Sequence, residues 1–416
     1  MSQIIVKNIS IGDELLIGQV INTNAAWLGE HLASAGFHLY STLTIGDSEN
    51  SILDAFNDCM DADLVLVTGG LGPTADDITK PTVCKFFGTE LVFCQEAYDN
   101  IIELFNRRGF QMSERNRGQA MLPKSCLYIP NTYGTAPCMW LEKGGVAFVF
   151  MPGVPFEMKG IFNDELLPRF KKRYHSVPYD KRVVMTTGIG ESFLADKIKD
   201  WEEQLPEFLS LAYLPQYGMV RLRLSGRHEN ADLLYQTLDD EIAKLTQLIP
   251  EYIFSTEDKP IERVVFELLV EKRKTFATAE SCTGGNIAHV ITLVPGSSDI
   301  FKGSAVTYAT PMKTKVLGVP VETIEKYGVV SQQVVEDMAI GVRDLMETDF
   351  GVATTGIAGP GGGTDEMPVG TVWIGVASSQ GVVTQCYNFG KDRENVINRA
   401  SIAAYEMLRK EILACP

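Results

Sequence analysis

Metal-binding and disulfide signatures are what this 416-residue sequence lacks first. Its eight cysteines, at 59, 84, 94, 126, 138, 282, 386 and 415, include no C-x-x-C pair, and its five histidines, at 31, 38, 175, 228 and 289, include no H-x-x-x-H pair. Neither a disulfide framework nor a structural zinc site is expected, and most of the thiols read as small buried hydrophobes. No apolar run is long enough to span a bilayer, and Met1 to Asn8 has no signal-peptide pattern, so a cytoplasmic location with no membrane partner is expected. Positive charge is also short. A formal net charge of −16 opposes the counterion release that drives nucleic-acid binding, so direct contact with nucleic acid is not expected. Lys171-Lys172-Arg173 and Lys272-Arg273-Lys274 read as solvated surface. There is no short-period repeat.

What remains is a globular composition, 45 % hydrophobic and 22 % charged, on a chain long enough for two or three domains. Residues 1–170 alternate short apolar runs with amphipathic stretches, which predicts a parallel α/β sheet. Ile4–Val6, Leu64–Thr68 and Val146–Met151 are its strand candidates. Ala25–Ala35 reads as a helix capped by Asn24 and stopped at Gly36, and Gln95–Arg108 as another stopped at Gly109. Residues 171–179 read as a linker into a small α+β unit that ends near 255. Its predicted elements are a strand 182–187, a helix 191–203, a strand 220–224 and a helix 231–249. The last segment, 256–416, again alternates strands (351–355 and 371–377) with helices (331–346 and 393–412).

That last segment holds the most informative residues, Ala279-Glu280-Ser281-Cys282-Thr283-Gly284-Gly285. A buried strand, Phe276–Ala279, stops there, and helical spacing over Asn286–Thr292 begins after a glycine turn. A hydroxyl at Ser281 would meet free N–H groups and the positive end of a helix dipole, both suited to developing negative charge. The competing reading is that Ser281 or Thr283 merely caps the helix. No histidine is placed to activate Ser281. Lys313 can act as base if burial brings its pKa from about 10.4 towards neutrality, with Tyr308 relaying the proton or orienting the amine. A thiolate at Cys282 is the rival nucleophile. The glycine-rich loop at 356–363 offers backbone N–H groups to an oxyanion or phosphate.

These motifs, A-E-S-C-T-G-G, V-T-Y-x-x-x-x-K, G-I-A-G-P-x-G-G and P-V-G-T-V-W, resemble the C-terminal domain of the CinA family, which is similar to bacterial nicotinamide mononucleotide deamidases. The resemblance implies hydrolysis of the nicotinamide carboxamide to nicotinate mononucleotide and ammonia, with no cofactor. It assigns Ser281 as nucleophile and Lys313 as base, assisted by Tyr308. Ser298, Thr283, Gly284, Gly285, Thr355 and Gly356 would line the site, with Arg393 and Arg399 as phosphate ligands.

In the first segment, Thr68-Gly69-Gly70-Leu71-Gly72-Pro73-Thr74-Ala75-Asp76-Asp77 follows a strand directly, where open α/β sheets bind ligands. The paired carboxylates would repel a phosphate unless a divalent cation lay between, although either could simply cap a helix. The segment is similar to the molybdopterin-binding fold and to the N-terminal domain of CinA proteins. The matching runs include Gly12-Asp13-Glu14-Leu15-Leu16, Asn22-Thr23-Asn24, Asn131-Thr132-Tyr133-Gly134 and Met151-Pro152-Gly153. The resemblance implies metal-dependent hydrolysis of ADP-ribose to AMP and ribose 5-phosphate, using magnesium or cobalt and also potassium. Asp77, Asp76 and Glu14 would hold metal, while Gly69, Gly70, Gly72, Thr74 and Asn24 would hold substrate. A non-catalytic nucleotide- or pterin-binding adaptor in competence or DNA-damage response is the alternative. The middle unit resembles the KH-like domain of CinA chains, but has Gly188-Ile189-Gly190 where RNA-binding KH domains carry G-x-x-G. It reads as a spacer or dimerisation element, and a homodimer is expected. The fold expected is therefore two three-layer α/β domains, molybdopterin-binding-like and CinA deamidase-like, joined by a small α+β KH-like domain.

Overall fold

The computed structural model describes residues 4–72, 77–109 and 114–415. The chain divides into two units: Met1–Asp180 with Arg227–Tyr235, and Lys181–Gly226 with Gln236–Pro416.

The first unit is built on a six-stranded sheet in the order Leu39–Ile45, Val6–Ile11, Leu64–Thr68, Val146–Met151, Cys138–Lys143, Leu127–Ile129. The first four strands run parallel, and the last two turn antiparallel. The sheet is therefore mixed rather than wholly parallel. Successive residues of Leu64–Thr68 feed opposite faces. Val65 and Val67 join a cluster with Phe56, Phe86 and Phe148, while Leu64 and Leu66 join one with Leu28, Phe162 and Phe170. Burial on both faces explains the continuous apolar run.

Several sequence-predicted boundaries move. The first strand is Val6–Ile11, not Ile4–Val6, because Lys7, Asn8 and Ser10 are buried within it and interrupt the apolar signal. The helix expected at 25–35 is Thr23–Ser34, and its cap is Asn22, whose side chain accepts from the Ala25 N–H at 3.0 Å. Asn24, expected to be the cap, lies inside the first turn instead. Lys171–Arg173 close the helix Leu167–Arg173 and are not linker. Helix Gln95–Arg108 ends at Gly109 as read, with that glycine at φ 69°.

Residues 179–255, most of them in the second unit, carry a four-stranded sheet in the order Leu209–Gln216, Met219–Arg227, Tyr179–Thr187, Ile253–Ser255, with helices Glu191–Glu202 and Ala231–Leu248. Val183, Met185 and Phe254 from this module are buried in one cluster with Val265 and Leu269 of the helix Ile261–Lys272. Residues beyond 256 form a five-stranded sheet in the order Phe301–Val306, Phe276–Glu280, Phe350–Gly356, Thr371–Ser378, Gly381–Asn388. Its first three strands are parallel and its last two antiparallel. Helices Ile261–Lys272, Asn286–Thr292 and Arg393–Ala414 cover one face, and Gln332–Leu345 covers the other.

The helix Gln332–Leu345 can approach both the sheet and the helix Thr310–Leu317 because two positions where they meet lack side chains. A Cβ on Gly351 would overlap the Ala339 carbonyl oxygen, and one on Gly341 would overlap the Leu317 carbonyl oxygen. Leu317 ends the helix that carries Lys313, so this packing fixes the lysine's helix from behind. Alanine at position 341 gains about 1 kcal/mol of helix propensity but overpacks against backbone, which costs about 1–3 kcal/mol and cannot rotate away. Gly341→Ala is expected to lower the thermal midpoint of the chain by a few degrees, at about 2–4 °C per kcal/mol. An unchanged or raised midpoint in a melting experiment contradicts this packing.

Candidate functional site

Strand Phe276–Glu280 delivers Ser281 at its C-terminal end, beside the equivalent end of Phe350–Gly356, where the Ser281 N–H donates to the Thr354 carbonyl at 3.1 Å. The neighbouring parallel strand Phe301–Val306 ends in Thr307, whose N–H donates to the Glu280 carbonyl at 2.9 Å. The chain then turns into the helix Thr310–Leu317, which points Lys313 back towards these strand ends. Lys313 is 1 % exposed. Its Nζ donates to the Thr307 carbonyl at 2.7 Å and lies 3.0 Å from Ser281 Oγ. Among the described residues no carboxylate forms an ion pair with it, and burial lowers its pKa below the ordinary lysine range.

Cys282 is buried beside this pair, and burial pushes its thiol up to about 12. It is a protonated thiol at neutral pH, which disfavours the rival nucleophile.

The helix start itself is occupied by Glu280, a residue the sequence analysis did not single out. Its fully buried carboxylate accepts from the N–H groups of Gly285, Ile287 and Ala288 at 2.9, 3.2 and 2.9 Å, and from the Thr283 hydroxyl at 2.7 Å. The expectation of free N–H groups at this helix N-terminus is therefore corrected, as is the capping role considered for Ser281 or Thr283. Glu280 is the cap, and Ser281 is left to face Lys313. Thr283 and Gly285, expected to line the site, instead anchor this carboxylate, and the Gly284 N–H closes a turn onto the Ser281 carbonyl at 3.1 Å.

The remaining expected residues divide. Arg393 donates to the Gly359 carbonyl at 2.6 Å and to Tyr308 Oη at 2.8 Å, tying the glycine-rich loop to the turn after Thr307. Tyr308 is 59 % exposed and engaged with Arg393, not with Lys313. Thr355 is buried on the next strand and donates to the Val329 carbonyl at 2.8 Å. At Gly356 a Cβ would lie 2.6 Å from the Thr371 carbonyl oxygen. Two expectations fail within one chain. Ser298 precedes Ile300, whose carbonyl accepts from the Phe276 N–H, so it sits at the opposite edge of the sheet. A five-residue strand separates it from Ser281, roughly 16 Å at strand rise. Arg399 lies over the Phe389 ring and against Gly218 of the middle module, away from Ser281.

In the first unit, Glu14, Asn24, Gly69, Gly70, Gly72 and Asp77 all line one cavity of about 380 Å³ at the C-terminal ends of the parallel strands. Thr74 and Asp76 lie outside the described residues. Asp47 lines the cavity too; its carboxylate accepts from the Asp13 N–H at 3.0 Å, and its own N–H donates to the Asp13 carboxylate at 3.3 Å. It was missed, although it follows strand Leu39–Ile45 at the same sheet edge. Asp77 Oδ1 accepts from the Gly72 N–H at 2.8 Å. Nearby Lys80 is buried, donates to the Gln119 carbonyl at 2.8 Å and has its pKa lowered by burial to about 8, against the attraction of Asp77. Among the described residues no three acidic, histidine or cysteine side chains converge as a metal cage. The carboxylates around the cavity are hard oxygen donors of the kind that bind Mg²⁺ in ones or twos together with substrate phosphates.

Three family models match the chain in order: "Probable molybdopterin binding domain" over residues 7–172, "Damage-inducible protein CinA KH domain" over 181–255, and "CinA C-terminal domain" over 258–412. A "CinA-like protein" of Flavobacterium psychrophilum is 43 % identical over 97 % of this chain and 98 % of its own length. Another, of Cytophaga hutchinsonii, is 41 % identical over 97 % of each. The chain belongs to the CinA family. Among solved structures, the competence/damage inducible protein CihA of Agrobacterium tumefaciens is 37 % identical over 36 % of this chain and 91 % of that one, with a TM-score of 0.35.

In this CinA-family chain the Glu280 carboxylate generates a direct test. Truncation to alanine removes the acceptor of three backbone N–H groups, at about 1–3 kcal/mol for each buried group left unpaired, while the Thr283 hydroxyl keeps Thr354 Oγ1 at 2.8 Å. Glu280→Ala is expected to destabilise the chain by roughly 3 kcal/mol or more, with Glu280→Gln intermediate. Denaturant or thermal unfolding that leaves Glu280→Ala as stable as the parent contradicts the capping role.

Proposed function

We propose that the C-terminal site hydrolyses the carboxamide of nicotinamide mononucleotide to a carboxylate and ammonia. The observation that carries this reading is the placement of a buried Lys313 amine, with no ion-pair partner among the described residues, 3.0 Å from Ser281 Oγ. Serine–lysine pairs are an established variant of nucleophile–base catalysis. In its neutral form Nζ takes the Ser281 proton as Oγ bonds to the amide carbon. The ammonium so formed returns that proton to the departing nitrogen, which leaves as ammonia and yields an ester on Ser281. Water then attacks the ester carbon, giving its proton to Nζ. The C–Oγ bond breaks, the proton passes back to Oγ, and the carboxylate leaves. The Thr307 carbonyl holds Nζ throughout, so little side-chain entropy is lost at each transfer. Arg393, exposed beside the glycine-rich loop, supplies positive charge suited to the nucleotide's phosphate.

We infer a second site in the N-terminal domain, hydrolysing ADP-ribose to AMP and ribose 5-phosphate. It is supported by the convergence of the glycine loop, Asn24, Glu14 and Asp77 on one cavity. Glu14 and Asp77 would hold a divalent cation there, which when bound would neutralise the diphosphate and lower the pKa of a water. Both reactions belong to pyridine-nucleotide salvage. A non-catalytic adaptor would instead bind nucleotide without turnover.

An ammonia-release assay tests the first site. Ser281→Ala and Lys313→Ala are expected to lose at least about a hundredfold, the lower range for acid–base groups, while Cys282→Ala stays within severalfold of the parent. Loss in Cys282→Ala with Ser281→Ala active would move the nucleophile to the thiol. Because only the neutral amine accepts a proton, kcat/KM is expected to rise with pH through the Lys313 pKa, which lies below the ordinary lysine value, and then to level off. A profile flat between pH 5 and 10 contradicts a lysine base. For the second site, Asp77→Ala is expected to abolish metal-dependent release of AMP from ADP-ribose while sparing ammonia release. Loss of both activities in a folded variant contradicts two independent sites.

A further inference from the structure

Two glycines in succession follow the proposed nucleophile, Gly284 at φ 65° and Gly285 at φ 98°. Packing imposes neither conformation. A Cβ at Gly284 would meet nothing within 4 Å, and one at Gly285 would make only an ordinary contact with the Val306 side chain at 3.5 Å. A glycine pair without such constraint has many backbone conformations open to it. The turn that presents Ser281 is closed by the Gly284 N–H, which donates to the Ser281 carbonyl at 3.1 Å. Its shape therefore rests on hydrogen bonds.

Glu280 supplies the acceptor. Its carboxylate takes the Gly285 N–H at 2.9 Å and the Thr283 hydroxyl at 2.7 Å, besides the Ile287 and Ala288 N–H groups of the helix. Residues 281–285 are thereby closed into a loop by the side chain before them and the backbone at their end. The main chain of the same residue reaches the other half of the site. The Glu280 carbonyl accepts from the Thr307 N–H at 2.9 Å, and the Thr307 carbonyl holds Lys313 Nζ at 2.7 Å. One residue thus fixes both the turn that carries the hydroxyl and the carbonyl that holds the amine.

We propose that Glu280 is a positioning residue for the Ser281–Lys313 pair: its carboxylate shapes the turn that brings Ser281 Oγ to within 3.0 Å of Lys313 Nζ. The proposal rests on the reading of Ser281 as nucleophile. It goes beyond helix capping, because a cap alone would change stability and leave each folded molecule as reactive as before. A misplacement of about 1 Å at a reacting atom costs about a hundredfold in rate, so loosening the turn slows the serine even where the chain stays folded.

Labelling of the full chain with a small alkyl fluorophosphonate, read at Ser281 by mass spectrometry, tests this without the natural substrate. Oγ bonds to phosphorus, fluoride leaves, and the hydroxyl proton passes through Nζ to solvent. Rates are taken per folded molecule, well below each variant's thermal midpoint. Glu280→Gln keeps one acceptor oxygen but sets an amide against backbone N–H groups. It is expected to label roughly ten- to a hundredfold more slowly than the parent, with the pH midpoint of labelling unchanged. Its kcat for ammonia release should fall by the same factor while KM stays put. If Glu280→Gln does not fold, Thr283→Val, which deletes one donor to the carboxylate, carries the test and should label severalfold more slowly. Labelling at the parental rate in the folded variant overturns the proposal. So does a midpoint raised to the ordinary lysine value of about 10.4, which would mean that Glu280 keeps the amine neutral and does not place the serine. A parent labelled at Ser281 that releases no ammonia removes the amidase and leaves the positioning role standing. A folded parent in which Ser281 resists the reagent removes both.

Discussion

A lysine amine enclosed by protein with no counter-charge is costly to keep as a cation, and that cost organises the C-terminal domain. Desolvation of an ammonium without a partner amounts to several kcal/mol even after relaxation, so the amine at position 313 is driven towards its neutral form. The one strong acceptor it keeps is the Thr307 carbonyl, and its other neighbour is the Ser281 hydroxyl. Everything around the pair serves to hold this geometry. The parallel strands bring the ends of residues 276–280 and 301–306 side by side, and the close approaches at Gly341 and Gly351 press the lysine's helix into place.

Glu280 is the complementary buried charge, and it is treated in the opposite way. It is surrounded by donors, so its carboxylate is compensated by three helix N–H groups and the Thr283 hydroxyl rather than by a cation. Had it paired with Lys313, the lysine would have been held charged and the serine left without a base. Glu280 and Ser281 are consecutive residues at one strand end and face opposite sides of the sheet, which keeps the carboxylate apart from the amine that meets Ser281. Alternation along the strand sends Glu280 towards the helix Asn286–Thr292 and Ser281 towards the helix Thr310–Leu317.

Much of this was legible in the sequence, because strand-to-helix junctions with glycines mark themselves. Ser281, Lys313, the glycine-rich loop and the Gly69–Gly72 turn could all be found that way. The two three-layer α/β domains and the small α+β module were legible too, from alternation and from resemblance. What the residues could not reveal was facing and end. Ser298 and Ser281 flank neighbouring parallel strands, and only the register shows that they leave the sheet at opposite edges. Arg393 and Arg399 share one helix, but six residues turn the second towards Phe389. Glu280 was passed over because an acidic residue after an apolar run reads as the exposed end of a strand, and its burial depends on the helix Asn286–Thr292, whose first N–H groups turn back onto it. Asn24 was read as a cap because the helix starts two residues earlier than the apolar spacing indicates, with Asn22 as its cap.

Direct titration of the Lys313 amine is the measurement that bears most closely on the whole account. In the full chain with isotopically labelled lysine, two side-chain resonances should titrate below the ordinary value of about 10.4, those of Lys80 and Lys313, and one of the two should vanish in Lys313→Arg. Titration at or above that value by the resonance that Lys313→Arg removes would mean that the amine is charged at neutral pH, and the proposed serine chemistry would then have no base.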